Sequence, residues 1–239
     1  MKTSHPAFFM FLIAPFGAAS GFTGVSLAYL LTQAQVSAEA VSGLVALSYL
    51  PQTWKFLWAP VVDLTLNRKA WYGIGLAGTL TGMLGVGASP LDSAAMAPLT
   101  AWVLVMSAAS TLLAMAVESL MAHQTGDDEK GRAAGWSQAG NLGGTGLGGG
   151  AALWLVQSGG LSSTLGAAVL AGLCLACAWP LLFITDTPRA AVQARIGERL
   201  RDTLRDLGSV VRSRRGELAL TVPATLLFLG VRHWSGRRG

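Results

Sequence analysis

Charge is scarce in this chain of 239 residues. Only 12% are Asp, Glu, Lys or Arg, about half the share of an ordinary soluble domain, and the mean hydropathy is +0.50. That deficit excludes a domain with water on every side. Cysteine and histidine are sparse too, two and three residues respectively. Cys174 and Cys177 form a C-x-x-C, but Leu175 and Ala176 set it inside an apolar run, without the exposed, thiolate-favouring surroundings or further ligands that redox or zinc chemistry needs. Two small packing residues are the expectation, and disulfides play no part. His5, His123 and His233 all fall outside the apolar runs, so no Ser-His or metal constellation is expected within a membrane. Neither an enzyme nor a cofactor is predicted.

Apolar runs are abundant. Six of them reach the roughly 17 to 25 residues needed to cross a bilayer, at about 8–31, 40–64, 71–88, 98–121, 133–156 and 163–184. Each must be a helix, because hydrocarbon offers a peptide group no other partner. The first starts like a signal peptide, with Lys2 ahead of Phe8 to Ala14, yet it continues to Leu31, longer than a signal core requires.

Charge placement tests the count independently. With the amino terminus inside, Lys2, Arg68, Lys69, Lys130, Arg132 and eight arginines from Arg189 to Arg215 all fall on the inner side. The three outer loops, about 32–39, 89–97 and 157–162, hold no Lys or Arg. Positive residues in short loops set orientation, so the partition predicts an integral protein of the cell (inner or plasma) membrane with a cytoplasmic amino terminus. The net charge of +5 then reports topology and an anionic lipid surface, and no nucleic-acid partner is expected.

The stretch Gly144-Thr-Gly146-Leu-Gly-Gly149 is a literal G-x-G-x-x-G. A phosphate cradle needs a strand before it, a helix after it and an acidic residue about 20 positions on; here the glycines lie within an apolar run and no carboxylate follows at that distance. Spacing suggests another use. Gly140, Gly144 and Gly148 are four apart, as are Gly146 and Gly150, which predicts a helix surface nearly free of side chains where another helix approaches closely. Such a surface serves equally a static interface or helices that slide.

Ionisable residues inside apolar runs are costly and point to function. Lys55 precedes Asp63 by a helical distance of about 12 Å, and Glu118 lies about as far from the inner end of the fourth run. At matching depth the two can pair, lowering the cost of each charge. They are the candidate substrate or proton site, with a structural ion pair or a snorkelling lysine as the plainer reading. Gln138 and Asn141 on the fifth run are placed along the same pathway or else tie helices together. Asp63, Arg68 and Lys69 at the inner boundary form a candidate conformational latch or an ordinary charged boundary. Pro15, Pro51 and Pro60 can kink the first two spans.

These residues carry a resemblance. Six spans with Asp63, Arg68 and Lys69 between the second and third, followed by a long basic inner loop, resemble the amino-terminal half of a major facilitator transporter. Lys55-Phe-Leu-Trp-Ala-Pro60-Val-Val-Asp63 is similar to the K-F-L-W-x-P-x-x-D signature of the AmpG-type muropeptide permease and acetyl-CoA transporter group. Phe16-Gly-Ala-Ala-Ser20-Gly21 resembles that group's F-G-x-x-S-G, and Asp128-Glu-Lys130-Gly131-Arg132-Ala resembles its E-E-R-G-x-x turn. The resemblance covers about residues 10–190. It implies a proton-coupled or related secondary transporter, with the first and fourth spans on the central pathway and the second and fifth facing a second half. Glu118 falls where the second acid of that group's D-x-x-x-D-A element is expected, but its first acid is Ala114 here, and the proline expected in the first span is Thr23. Those departures set the muropeptide aside and leave the transporter class.

The predicted architecture is therefore all-α and membrane-embedded: a six-helix bundle over 1–186, a basic loop over 187–216 and a partial seventh segment with a basic tail over 217–239. Val192, Ile196, Leu200, Leu204, Leu207 and Val211 give the loop an amphipathic period suited to the inner membrane surface. Leu218 to Val231 as a helix is about 21 Å long, short of the hydrocarbon core. The expectation is a half-transporter for a small polar or anionic solute, with a proton as coupling ion, whose partner is a missing carboxy-terminal half or a second copy in a homodimer. The alternative is a non-transporting membrane scaffold or inactive fragment assembled through its glycines.

Overall fold

The computed structural model describes residues 5–53, 55 and 66–184. The chain divides into a unit over Met1–Arg189 and another over Ala190–Gly239. The second, with most of the expected basic loop and the seventh segment, lies outside the described residues. So do 56–65, including Asp63.

Among the described residues everything regular is helical. The first apolar run becomes α1 (Phe8–Gly21), a π-helical segment (Phe22–Leu27) and α2 (Ala28–Gln33), one uninterrupted rod. Pro15 sits inside it without breaking it. The rod ends in a Schellman turn: Gln35 adopts φ 61°, its N–H reaches the Thr32 carbonyl at 3.1 Å, and Val36 N–H reaches Leu31 at 3.0 Å. Leu31 and Val36, the apolar pair that accompanies such turns, are both buried. Ser37 then caps α3 (Ala38–Ser48) by accepting from Ala40 N–H, and α4 (Leu50–Thr53) follows.

Asn67 starts α5 (Arg68–Ala88) by accepting from Ala70 N–H at 2.7 Å. Next come α6 (Met96–Gln124), the α7 (Lys130–Gly146), π (Leu147–Ala151) and α8 (Ala152–Gln157) series, and α9 (Ser163–Ala176), capped by Ser162. Among the described residues, three stretches are long and apolar enough to cross a membrane: Phe8–Gln33, Met96–Gln124 and Ser163–Leu182. Arg68–Ala88 and Lys130–Gln157 are helical over comparable lengths, but glycines and terminal charges dilute their apolarity.

Helix α5 packs along α6, α1 along α7, and α9 against α5. Two apolar clusters result. One, around Phe9, Leu12, Tyr72, Leu113 and Leu120, occupies the end where α1 begins; the other, around Phe22, Leu31, Met83, Val103 and Leu170, occupies the opposite end. Buried hydroxyls between them bond within their own helices: Thr79 to Gly75 carbonyl, Ser110 and Thr111 to that of Ser107. Tyr72 instead crosses from α5 to donate its hydroxyl to Leu12 carbonyl at 3.2 Å.

Candidate solute site

Glycine decides how closely the first and fifth runs approach. A Cβ built on Gly140, Gly144 or Gly148 would overlap the carbonyl oxygen of Met10, Ala14 or Ala18, each one turn further along α1. The contact is reciprocal. A Cβ on Gly17 or Gly21 would strike the carbonyl of Asn141 or Thr145. The two backbones therefore touch directly, as small residues four apart permit.

Gly146 and Gly150, grouped with the others by spacing, stand apart from this contact. A Cβ on either meets nothing within 4 Å. The physical reason is rotational: positions 144 and 146 lie about 200° apart on a 3.6-residue helix and cannot share a face. Nor are Gly140, Gly144 and Gly148 a ready surface for a second copy, since α1 of the same chain already covers them.

The close approach continues through both π-helical segments. Ser26 lies 2.9 Å from the Gly148 carbonyl and 2.8 Å from that of Gly149, sharing its one hydroxyl proton between them. A Cβ on Gly149 would press on Val25. Widened turns and glycine together let a serine reach across two spans.

Toward the start of α1 the helices part around a cavity of about 190 Å³. Ile13 and Phe16 face it from α1, Thr111, Ala114 and Glu118 from α6, Ser137, Gln138 and Asn141 from α7, and Gln52 and Lys55 from the second apolar run. Spacings of three and four along each helix put these side chains on one face. Lys55 Nζ and Glu118 Oε1 stand 2.5 Å apart, an ion pair whose side chains are 36% and 52% exposed. The four residues expected along a pathway, Lys55, Glu118, Gln138 and Asn141, thus line one cavity. Among its described lining residues, Lys55 and Glu118 are the charged ones.

Of the boundary residues, Arg68 is buried and its Nε donates to Ser119 Oγ at 3.0 Å, which ties the start of α5 to the residue beside Glu118. Lys69 occupies the first turn of α5. In the turn between α6 and α7, Lys130 Nζ lies 2.6 Å from Asp127, and that hydrogen bond and charge hold the Asp127 carboxyl below its ordinary value.

Sequence reasoning missed Gln52, Thr111 and Ser137 as cavity residues, and Gly17 and Gly21 as the partners of the α7 glycines. The signal for the glycines was present in their four-residue spacing; that for Thr111 was its position two turns before Glu118 on the same helix face.

The family model of the Major Facilitator Superfamily matches residues 7–233. The chain belongs to the major facilitator superfamily. Its apolar helices accordingly belong to an integral membrane protein of a transporter family. No curated protein and no solved structure gives a match. In this superfamily chain, the exposed apolar residues of the helices, such as Leu142, Trp154 and Leu175, meet lipid or other helices in place of water.

Proposed function

We propose that the protein carries a small polar or anionic solute across the cell's inner or plasma membrane by alternating access, with Lys55, Glu118, Gln138 and Asn141 lining the route. The observation that carries this reading is the polar cavity between otherwise apolar helices, with an ion pair on its wall. Charge placed within a membrane span is costly, and such residues are functional candidates. In the same reading the chain has six spans and a cytoplasmic amino terminus, is of the AmpG-type group, and couples transport to a proton. Asp63, Arg68 and Lys69 act as a latch at the inner boundary, and a second six-span unit, supplied by another segment or copy, completes the pathway.

The test is uptake by the full chain reconstituted in liposomes. Vesicles are incubated with a defined mixture of amino acids, organic acids, sugars and amines, and their contents are read by mass spectrometry. At least one solute should accumulate over protein-free vesicles, and Lys55→Met or Glu118→Gln should lower that accumulation about tenfold or more. Equal contents in wild-type, variant and protein-free vesicles would overturn the transport reading.

A further inference from the structure

The charges on the cavity wall say more about the solute than its polarity does. Lys55 and Glu118 already satisfy each other at 2.5 Å, and the other described lining groups are neutral amides, hydroxyls and apolar side chains. A solute bearing one charge of either sign would take one partner and leave the other without its counter-charge among the described lining residues. A solute bearing both charges avoids that penalty. Its carboxylate takes the Lys55 ammonium while its ammonium takes the Glu118 carboxylate, and one ion pair becomes a ring of two positive and two negative groups.

Resting on the transport reading above, we propose that the solute is a small zwitterion, with an ammonium and a carboxylate on the same or adjacent carbons. The short spacing follows from the pair itself. Two protein charges that touch can each meet a solute charge with little rearrangement only when the solute's charges are also close together. Gln138 and Asn141, which also line the cavity, offer both donors and acceptors to the remaining edges of the carboxylate and ammonium. Binding leaves the net charge of the described lining residues at zero.

The experiment is binding to the full chain in detergent, measured by competition against radiolabelled L-alanine and by direct calorimetry with each probe. The probes are L-alanine, L-serine, β-alanine, 6-aminohexanoate, propionate, gluconate and ethylamine. The short zwitterions should bind, with 6-aminohexanoate and the singly charged probes weaker by tenfold or more. Lys55→Met and Glu118→Gln should each weaken L-alanine binding roughly ten- to a hundredfold. The exchange variant Lys55→Glu/Glu118→Lys should recover it, because a zwitterion can turn end for end; unfolding midpoints of the single variants close to that of wild type separate lost binding from misfolding.

Two other outcomes refute the proposal in different ways. If propionate or gluconate binds best, needs Lys55 and strengthens as pH falls, the cavity is a transport site for anions and the zwitterion assignment is wrong. If no probe binds, and wild-type and variant chains behave alike in the vesicle assay, the transport reading itself has failed.

Discussion

Replacing Gly144 by Ala and, separately, Gly146 by Ala adds the same methyl group two residues apart on one helix, with opposite expected results. At 144 the new Cβ overlaps the Ala14 carbonyl oxygen and sits 3.1 Å from Ala14 Cα, tighter than the 3.4–4 Å of ordinary contact. The obstruction is backbone, so it cannot rotate away; α1 and α7 must separate. Overpacking of this kind costs about 1–3 kcal/mol, while exchanging Gly for Ala in a helix returns about 1 kcal/mol. At 146 the methyl enters open space and only the gain applies. The helical preference cancels in the comparison, leaving Gly144→Ala less stable than Gly146→Ala by about 1–3 kcal/mol. For a chain of this size that corresponds to about 2–12 °C in unfolding midpoint. Cys174, 3% exposed on α9, provides the probe: in a Cys177→Ser background its reaction with a thiol-specific dye reports unfolding during heating in detergent. Equal midpoints for the two variants would refute direct backbone contact between α1 and α7.

Ser26→Ala removes the hydroxyl shared by the Gly148 and Gly149 carbonyls and is expected to cost about 0.5–1.5 kcal/mol in the same unfolding assay; no loss would show that the bridge contributes nothing net. Tyr72→Phe keeps the buried ring and deletes only the bond to Leu12, so a loss of similar size, about 0.5–1.5 kcal/mol, is expected, and a much larger one would mean the hydroxyl does more than tie α5 to α1. For Asp127, whose carboxyl is held low by Lys130, the stabilisation is present above the unfolded carboxylate pKa and is lost as pH falls through the folded value. Asp127→Asn should remove that stabilisation at neutral pH together with its loss on the acid side, leaving a stability profile near neutral pH lower than but parallel to wild type. A changed slope above pH 6 would assign the effect to another group.

Charged residues were the most legible part of the site. Lys55 and Glu118 stand out in apolar runs, and counting helical rise from the boundary puts them at one depth, where the structure pairs them. Neutral polar residues carry less signal. Thr111 reads as an ordinary helical threonine because its hydroxyl does bond its own helix, at Ser107, while its side chain still faces the cavity. Apolar runs located the helices, but not the π-helical turns, since Phe22–Leu27 and Leu147–Ala151 differ from α-helix by one hydrogen-bond register that tertiary contact selects. Glycine spacing found the α7 contact and overextended it, because a four-residue count ignores which way each residue points. The Gly17–Gly21 partner is visible only when both faces of a helix pair are sought together.

The contact between α1 and α7 has the character of a weld. Its touching atoms are carbonyls and α-carbons, with no long side chains to swing or repack, so Ile13 and Phe16 on one helix are carried with Gln138 and Asn141 on the other as a single wall. On the same cavity, Lys55 and Glu118 meet through the tips of two flexible side chains. A solute that draws the two charged tips apart therefore displaces side chains alone, while the same displacement at the welded contact would have to move two backbones.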